Sequence, residues 1–167
     1  IGEGCFRNCC SLTSITIPNS VTSLGDWCFG YCSVLTSVTI PSSVNKLGCY
    51  CFYGCSSLTS ITIPFSVTKI SELCFANCSS LESITVDDKN TEYDSRENCN
   101  AIIETKTNRM VSGCKNTVIP PSVTSLGDYC FTACTSLKSI NIPSSVTSLY
   151  KYCFWECLSL TSITIPS

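Results

Sequence analysis

The sequence has no histidine and a single methionine, and only 13% of its residues are charged. Without histidine neither a Ser-His-Asp nor a Cys-His arrangement can form, and the commonest nitrogen ligand of zinc is missing as well. Ten basic residues stand against twelve acidic ones, thinly spread, for a formal net charge of -2. That balance provides no basic footprint for nucleic acid or anionic lipid, and both are excluded as partners. Long hydrophobic runs are also missing. Pro, Ser or Thr interrupts each apolar stretch well short of the roughly 18 residues that span a bilayer, so no membrane insertion of this segment is expected. No Gly-rich phosphate loop follows a strand pattern, which leaves nucleotide chemistry without support.

Cysteine, by contrast, is abundant, with sixteen in 167 residues, and hydrophobic residues make up 44% of the chain. The cysteines are periodic. Cys-Phe-x-x-Cys begins at Cys5, Cys28, Cys51 and Cys74, at equal steps, and the same step separates Cys130 from Cys153. From Leu12 the apolar positions of one coil are Leu12, Ile15, Ile17, Val21, Leu24, Cys28, Phe29 and Cys32, and the frame returns at Leu35, Leu58, Leu81, Leu137 and Leu160. Ile15-Thr16-Ile17 alternates β-branched residues inward and outward as a short strand, and Pro18 ends it because proline lacks the ladder N–H. The stretch from Gly25 to Cys32 has the spacing of one or two helical turns, with Cys28, Phe29 and Cys32 on one face. A strand plus a short helical turn, recurring every 20 residues or somewhat more, is the pattern of a leucine-rich repeat. The expected fold is therefore α/β, a right-handed leucine-rich-repeat solenoid in which coils must stack because none can bury its core alone.

From Cys74 to Cys130 the step exceeds two regular ones by ten, so one coil carries ten extra residues. It spans 81–113, between regular coils 1–80 and 114–167, within a single array expected to be truncated at both ends, at Ile1 and at Pro166-Ser167. Ile84 and Val86 keep the strand frame, but Asp87 replaces proline and the Cys-Phe turn is absent. Ala101–Glu104 and Met110–Ser112 flank the polar stretch Thr105–Arg109, which predicts an inserted β-hairpin protruding from the helical flank.

The segments Leu58-Thr59-Ser60-Ile61-Thr62-Ile63-Pro64 and Ser122-Val123-Thr124-Ser125-Leu126-Gly127-Asp128-Tyr129-Cys130-Phe131 resemble the BspA-like, or TpLRR, leucine-rich repeats. Asn100–Thr105 and Gly113–Pro120 look like the variant coil of such arrays. The resemblance covers essentially the whole chain. It implies a cell-surface or extracellular protein, of the kind that anaerobic host-associated bacteria and protists use for adhesion to host matrix proteins or other cells. It carries over no catalytic residue or cofactor. The chain departs from the pattern with Cys28, Cys51, Cys74, Cys130 and Cys153 where the family mostly has Ala, and with Ser71 and Tyr150 in place of Gly.

A tenth of the chain being cysteine ordinarily suggests disulfides. Equivalent cysteines of adjacent coils, however, should lie about 4.8 Å apart with parallel Cβ vectors, against the Cβ separation of about 3.8 Å that a disulfide prefers. Buried free thiols are the favoured reading. Disulfides among the off-frame Cys10, Cys49, Cys99 and Cys114 stay open, and thiol or metal binding is the remote alternative. The carboxylates Asp87, Asp88, Asp94 and Glu97 lack calcium-loop spacing. Asn77-Cys78-Ser79 fits a glycosylation sequon, but Cys78 falls on the inward column.

Two surfaces are candidates for binding. The sheet face should present hydroxyl columns: Ser14 and Thr16, Ser37 and Thr39, Ser60 and Thr62, Ser83 and Thr85, Ser139 and Asn141, Ser162 and Thr164. Cross-strand pairing and solubility are the favoured account of these columns, ahead of a flat face for a ligand. The second surface is an aromatic line, with Trp27, Tyr50, Tyr129 and Tyr152 at one repeat position and Tyr31, Tyr53 and Trp155 beside it. Such rings either seal the edges between coils or act as binding hot spots. The expected function is a non-catalytic interaction or adhesion scaffold whose partner is a host matrix or cell-surface protein, or a glycan. The alternative is a structural repeat that associates end to end with other copies.

Overall fold

The computed structural model describes residues 1–165; the expected truncation at Pro166-Ser167 lies outside the described residues. Two strands occur in each regular coil: β1 (Ser14–Thr16) and β2 (Ser23–Leu24), then β3 (Ser37–Thr39) and β4 (Lys46–Leu47), then β5 (Ser60–Ile63) and β6 (Lys69–Ile70). The irregular coil holds β7 (Ser83–Val86), β8 (Tyr93–Asp94), β9 (Ala101–Glu104) and β10 (Arg109–Gly113). The array continues through β11 (Ser125–Leu126), β12 (Ser139–Asn141), β13 (Ser148–Leu149) and β14 (Ser162–Thr164).

Pairing between successive regular coils is parallel and in register: Ile15 with Val38, Leu24 with Leu47, Leu126 with Leu149, Ile140 with Ile163. Register follows from the repeat, because a constant period sets like beside like. The proline after the first strand also builds the corner. Pro18, Pro41, Pro64, Pro120 and Pro143 each accept the N–H of the residue three positions on, at 3.0 to 3.2 Å. The inward columns Leu24, Leu47 and Leu126, and Phe29, Phe52 and Phe131, are all essentially fully buried. Successive phenylalanine rings stack face to face with centroids 5.3 to 5.6 Å apart from Phe6 to Phe75, and again from Phe131 to Phe154.

The third side of each coil corrects the expected helical turn. Among the described residues the only helical segment is a three-residue 3₁₀ turn, Arg96–Asn98, and it lies outside the Cys-Phe motif. In the motif, every second N–H leaves the segment: Trp27, Phe29 and Tyr31 donate to the carbonyls of Cys49, Cys51 and Tyr53 in the next coil, at 2.7 to 2.9 Å. The alternate donors Cys28, Gly30 and Cys32 close tight turns on Gly25, Trp27 and Phe29. Two residues per coil, four apart, take positive φ to make this alternation: Gly4 and Asn8, Trp27 and Tyr31, Tyr50 and Gly54, Leu73 and Asn77, Tyr129 and Ala133, Tyr152 and Glu156. A left-handed residue at each end breaks any run of helical dihedrals, so an α-helix is impossible here. The architecture is a β-solenoid rather than an α/β array.

The irregular coil is part of the wall. β9 and β10 pair antiparallel, with Met110 opposite Ile103, but they do not protrude: β10 continues in parallel into β11, and β8 joins the other edge of β9. Ala101, Ile102 and Ile103 are completely buried. Ile102 packs into the core that extends back to Ile17, whereas Ala101 and Ile103 pack into the core that extends on to Cys153. Alternation along one short strand therefore binds the two halves of the array together. A segment apolar on both faces can be satisfied only in the interior, which is why the protruding hairpin does not form.

At Gly113, the end of β10, a Cβ would lie 2.2 Å from the Phe131 ring. Gly113→Ala should lower stability by about 1 to 3 kcal/mol through overpacking, read as a lower urea midpoint. Phe131→Leu in the same chain should recover part of the loss. An unchanged midpoint would remove Gly113 from the packing at this junction.

Candidate binding surfaces

The aromatic residues gather into two groups rather than one line. Trp27 and Tyr50 stack with centroids 4.2 Å apart and planes 3° from parallel. Tyr31 and Tyr53 close the group, Tyr53 meeting Trp27, Tyr31 and Tyr50 edge-on at 5.3 to 5.7 Å. Arg7 lies over the Trp27 ring at 4.4 Å. Tyr31 is 37% exposed while Trp27, Tyr50 and Tyr53 are half-buried. Burial, with Tyr31 nearby, raises the Tyr53 phenol above its ordinary value. Trp27, Tyr31 and Tyr50 all sit at positive φ, which costs an L-residue about 1 to 2 kcal/mol, whereas an aromatic stack returns about 0.5 to 1.5 kcal/mol.

The second group holds Tyr129, Tyr152 and Trp155, with Lys151 over the Tyr129 ring at 5.5 Å. Its exposure has another origin. Leu149 is 43% exposed although Leu24, Leu47 and Leu126 at the same coil position are fully buried, because no described coil stacks on that side. The exposure of Tyr152 and Trp155 reflects the same edge. The line is interrupted between the groups because the coil of Cys74 carries Leu73 at the aromatic position and the irregular coil has no such turn.

On the sheet face, Ser14, Thr16, Ser37, Thr39, Ser60, Thr62, Thr85, Ser139, Asn141, Ser162 and Thr164 are exposed and Ser83 is half-buried. Ser14 lies opposite Ser37, Thr16 opposite Thr39, and Asn141 opposite Thr164. Thr62 and Thr85 share a hydrogen bond of 3.0 Å. Other hydroxyls, which the repeat pattern alone did not single out, tie coils together at the corners. Thr36, Thr68, Thr147 and Thr161 each donate to the carbonyl 23 residues earlier, and Ser43 and Ser66 to one 22 residues earlier. Part of the Ser and Thr content thus serves inter-coil bonding.

All sixteen cysteines are free thiols, ten of them buried. The off-frame Cys10, Cys49, Cys99 and Cys114 form no disulfide. The second cysteine of the motif is a hydrogen-bond donor between coils. Cys32, Cys55, Cys78 and Cys157 donate S–H to the carbonyls of Phe6, Phe29, Phe52 and Phe131, 26 residues back, at 3.1 to 3.2 Å. Spacing could not assign that role, because the pairing crosses from one coil to the last. The first cysteine of the motif stacks on its own kind. The neighbouring Cys51 thiol, then burial, raises Cys28, while Cys51, Cys78 and Cys130 are held well above the ordinary range chiefly by burial. Thiols held protonated in this way are poor nucleophiles and poor metal ligands.

A cleft of about 240 Å³ opens on the third side between the coil of Cys74 and the coil of Cys130, lined in part by Glu72, Leu73, Phe75, Asn77, Arg109 and Asp128. Nothing in the sequence pattern marks it except the missing Cys-Phe turn.

Residues 1–112 and 102–167 match the BspA type leucine rich repeat region, in six copies. The chain belongs to the BspA-type leucine-rich repeat family. It is similar over 98% of its length, at 30% identity and a TM-score of 0.81, to a leucine rich cell surface protein from Faecalibacterium prausnitzii, and spans 44% of that protein. It also resembles a leucine-rich repeat protein from Bacteroides ovatus, at 30% identity and a TM-score of 0.59, over 98% of this chain and 34% of that one. The pneumococcal vaccine antigen PcpA shares the fold, at 18% identity and a TM-score of 0.76, over 93% of this chain and 40% of that one. None of the curated proteins matches the chain. The two relatives at 30% identity are, by their names, a leucine rich cell surface protein and a leucine-rich repeat protein.

The thiols make the BspA-type stack sensitive to alkali. Burial pushes Cys32, Cys99 and Cys157 up to about 11 and Cys134 to about 12, from an ordinary value of 9.0. Because the folded values are raised, their contribution is fully present below about pH 9 and is lost as pH climbs through 11. Urea midpoints at pH 8, 9.5 and 11 should fall in that order. At pH 8 a thiol reagent should label the exposed Cys5 and Cys10 quickly and the buried cysteines only after denaturation. A flat pH profile, or rapid labelling of Cys55 in the folded chain, would contradict this account.

Proposed function

We propose that this chain is a non-catalytic binding scaffold, displayed at a cell surface or secreted, that presents its third-side flank to a host matrix or cell-surface protein or to a glycan. The observation that carries this reading is the cluster of Trp27, Tyr31, Tyr50 and Tyr53. It lies in the middle of regular coils, so its partial exposure is not an edge effect, and it holds three aromatic residues in a backbone region that they disfavour. Half-buried rings with an accessible polar tip are favoured at binding hot spots. The likeness to a leucine rich cell surface protein supports the location.

The decisive variant replaces Trp27 and Tyr50 by Asn, which accepts positive φ with little strain. Relief of backbone strain offsets most of the lost stacking, so the folded state should change by no more than about 1 kcal/mol. Binding to immobilised matrix proteins or glycans should weaken by about 2 kcal/mol or more, roughly 30-fold in Kd. Unfolding of the double variant, or undiminished capture by every ligand that holds the parent chain, would return the cluster to a purely structural role.

A further inference from the structure

Where one Cys-Phe turn follows directly on another, three N–H groups of the third side bond to three carbonyls of the next coil. Gly4, Phe6 and Asn8 donate to Asp26, Cys28 and Gly30, and Tyr50, Phe52 and Gly54 donate to Glu72, Cys74 and Ala76. The series then breaks inside the array. Leu73, Phe75 and Asn77 hold the same backbone conformation, with Leu73 and Asn77 at φ 58 and 59, yet no described residue accepts from their N–H groups. On the opposite wall, Tyr129, Phe131 and Ala133 donate onward in the usual way to Lys151, Cys153 and Trp155. Of the three carbonyls that should receive bonds there, only Cys130 does, from Gly113 at 2.9 Å, and those of Asp128 and Thr132 are left unpaired among the described residues.

The cause is the irregular coil, which crosses this side through Val111–Gly113 alone and omits the turn. One omitted coil leaves the flanking turns about 10 Å apart, twice the spacing of paired strands; Val111–Gly113 takes the part against Cys130, and the cleft is the part left open beside Leu73, Phe75 and Asn77. The interrupted phenylalanine stack marks the same gap, since Phe75 and Phe131 end their respective runs. Among the charged side chains lining the cleft, Arg109 pairs with Asp128 at 3.4 Å, which leaves Glu72 and Glu104 without a cationic partner among the described residues. An unpaired donor row alone would suit an anion, but two uncompensated carboxylates repel one.

We propose that this cleft binds an extended segment of a partner polypeptide bearing a basic side chain. Its carbonyls accept from Leu73, Phe75 and Asn77, and its Lys or Arg meets Glu72 and Glu104. This is strand addition to an exposed ladder, with the ladder supplied by a gap in a solenoid wall instead of the edge of a sheet. It deepens the scaffold reading by naming a second site and its ligand class, and it does not depend on the aromatic cluster.

The probe is a capped heptapeptide of alternating Thr and Lys, compared with its Glu-for-Lys counterpart and with inorganic phosphate. Amide hydrogen exchange, read by nuclear magnetic resonance, should show Leu73, Phe75 and Asn77 exchanging freely in the free chain and at least tenfold more slowly with the Lys peptide bound. Glu72→Lys changes an exposed side chain and leaves its backbone carbonyl in place, so the fold should persist while affinity for the Lys peptide drops at least tenfold. No binding at millimolar peptide, binding without slower exchange at those three amides, equal binding of the Glu peptide, or slowing by phosphate alone would each overturn the proposal. Capture of matrix ligands by the Glu72→Lys chain separates the two readings, because it probes the aromatic face with the cleft disabled.

Discussion

The constraint on which the structure depends is that backbone N–H and carbonyl groups must be paired from coil to coil on all three sides of the turn. Side chains alone could not hold the stack. A single coil buries its Leu, Ile, Phe and Cys positions only against neighbouring coils, and the neighbours stay in register only while the ladders continue. The third side meets this requirement in an unusual way. Alternate donors point out of the plane of the coil because two residues per turn adopt positive φ, and the backbone strain is carried at Trp27, Tyr50, Tyr129 and Tyr152 by aromatic residues. Stacking between coils offsets part of it where two rings adjoin, as for Trp27 with Tyr50 and Tyr129 with Tyr152.

The same constraint explains the chemistry of the polar and sulfur-bearing residues. Ser and Thr at the corners donate to carbonyls of the preceding coil, and the second cysteine of each motif does so from inside the core. A thiol is small enough to stand in a close column and still offers a weak donor, which Ala cannot. Held protonated by burial, these cysteines contribute bonding and volume. Their Cys-Phe-x-x-Cys spacing, with three residues between the thiols, is neither a redox nor a zinc-finger spacing and follows from the repeat.

Where the ladders are interrupted, the molecule changes character. The irregular coil keeps the first-side strand in β7, then places its additional residues in β8, β9 and β10, and reaches the next coil by a shortcut at Gly113. Continuity of the core is preserved by Ile102 on one side and Ala101 and Ile103 on the other. Continuity of the third-side ladder is not. A regular solenoid offers a partner a repetitive wall, and the break in that wall brings unpaired backbone and uncompensated charge together.

The repeat was legible from the sequence because a constant period forces equivalent residues into columns regardless of the local backbone. That alone determined the solenoid, the inward positions Leu24, Phe29 and Cys32, the proline corners and the family. The path of the third side was not legible, because the spacing of Cys28, Phe29 and Cys32 fits a helical turn as well as two left-handed residues four apart. Asn8, Gly54 and Asn77 at one of those positions were the available signal, diluted by Tyr31, Ala133 and Glu156. The grouping of the aromatic residues, the burial of β9 and the cleft beside Leu73 were decided only in three dimensions. Each depends on which coil lies next to which, and a segment's own residues carry no information about the hydrogen-bond partner that its neighbour fails to supply.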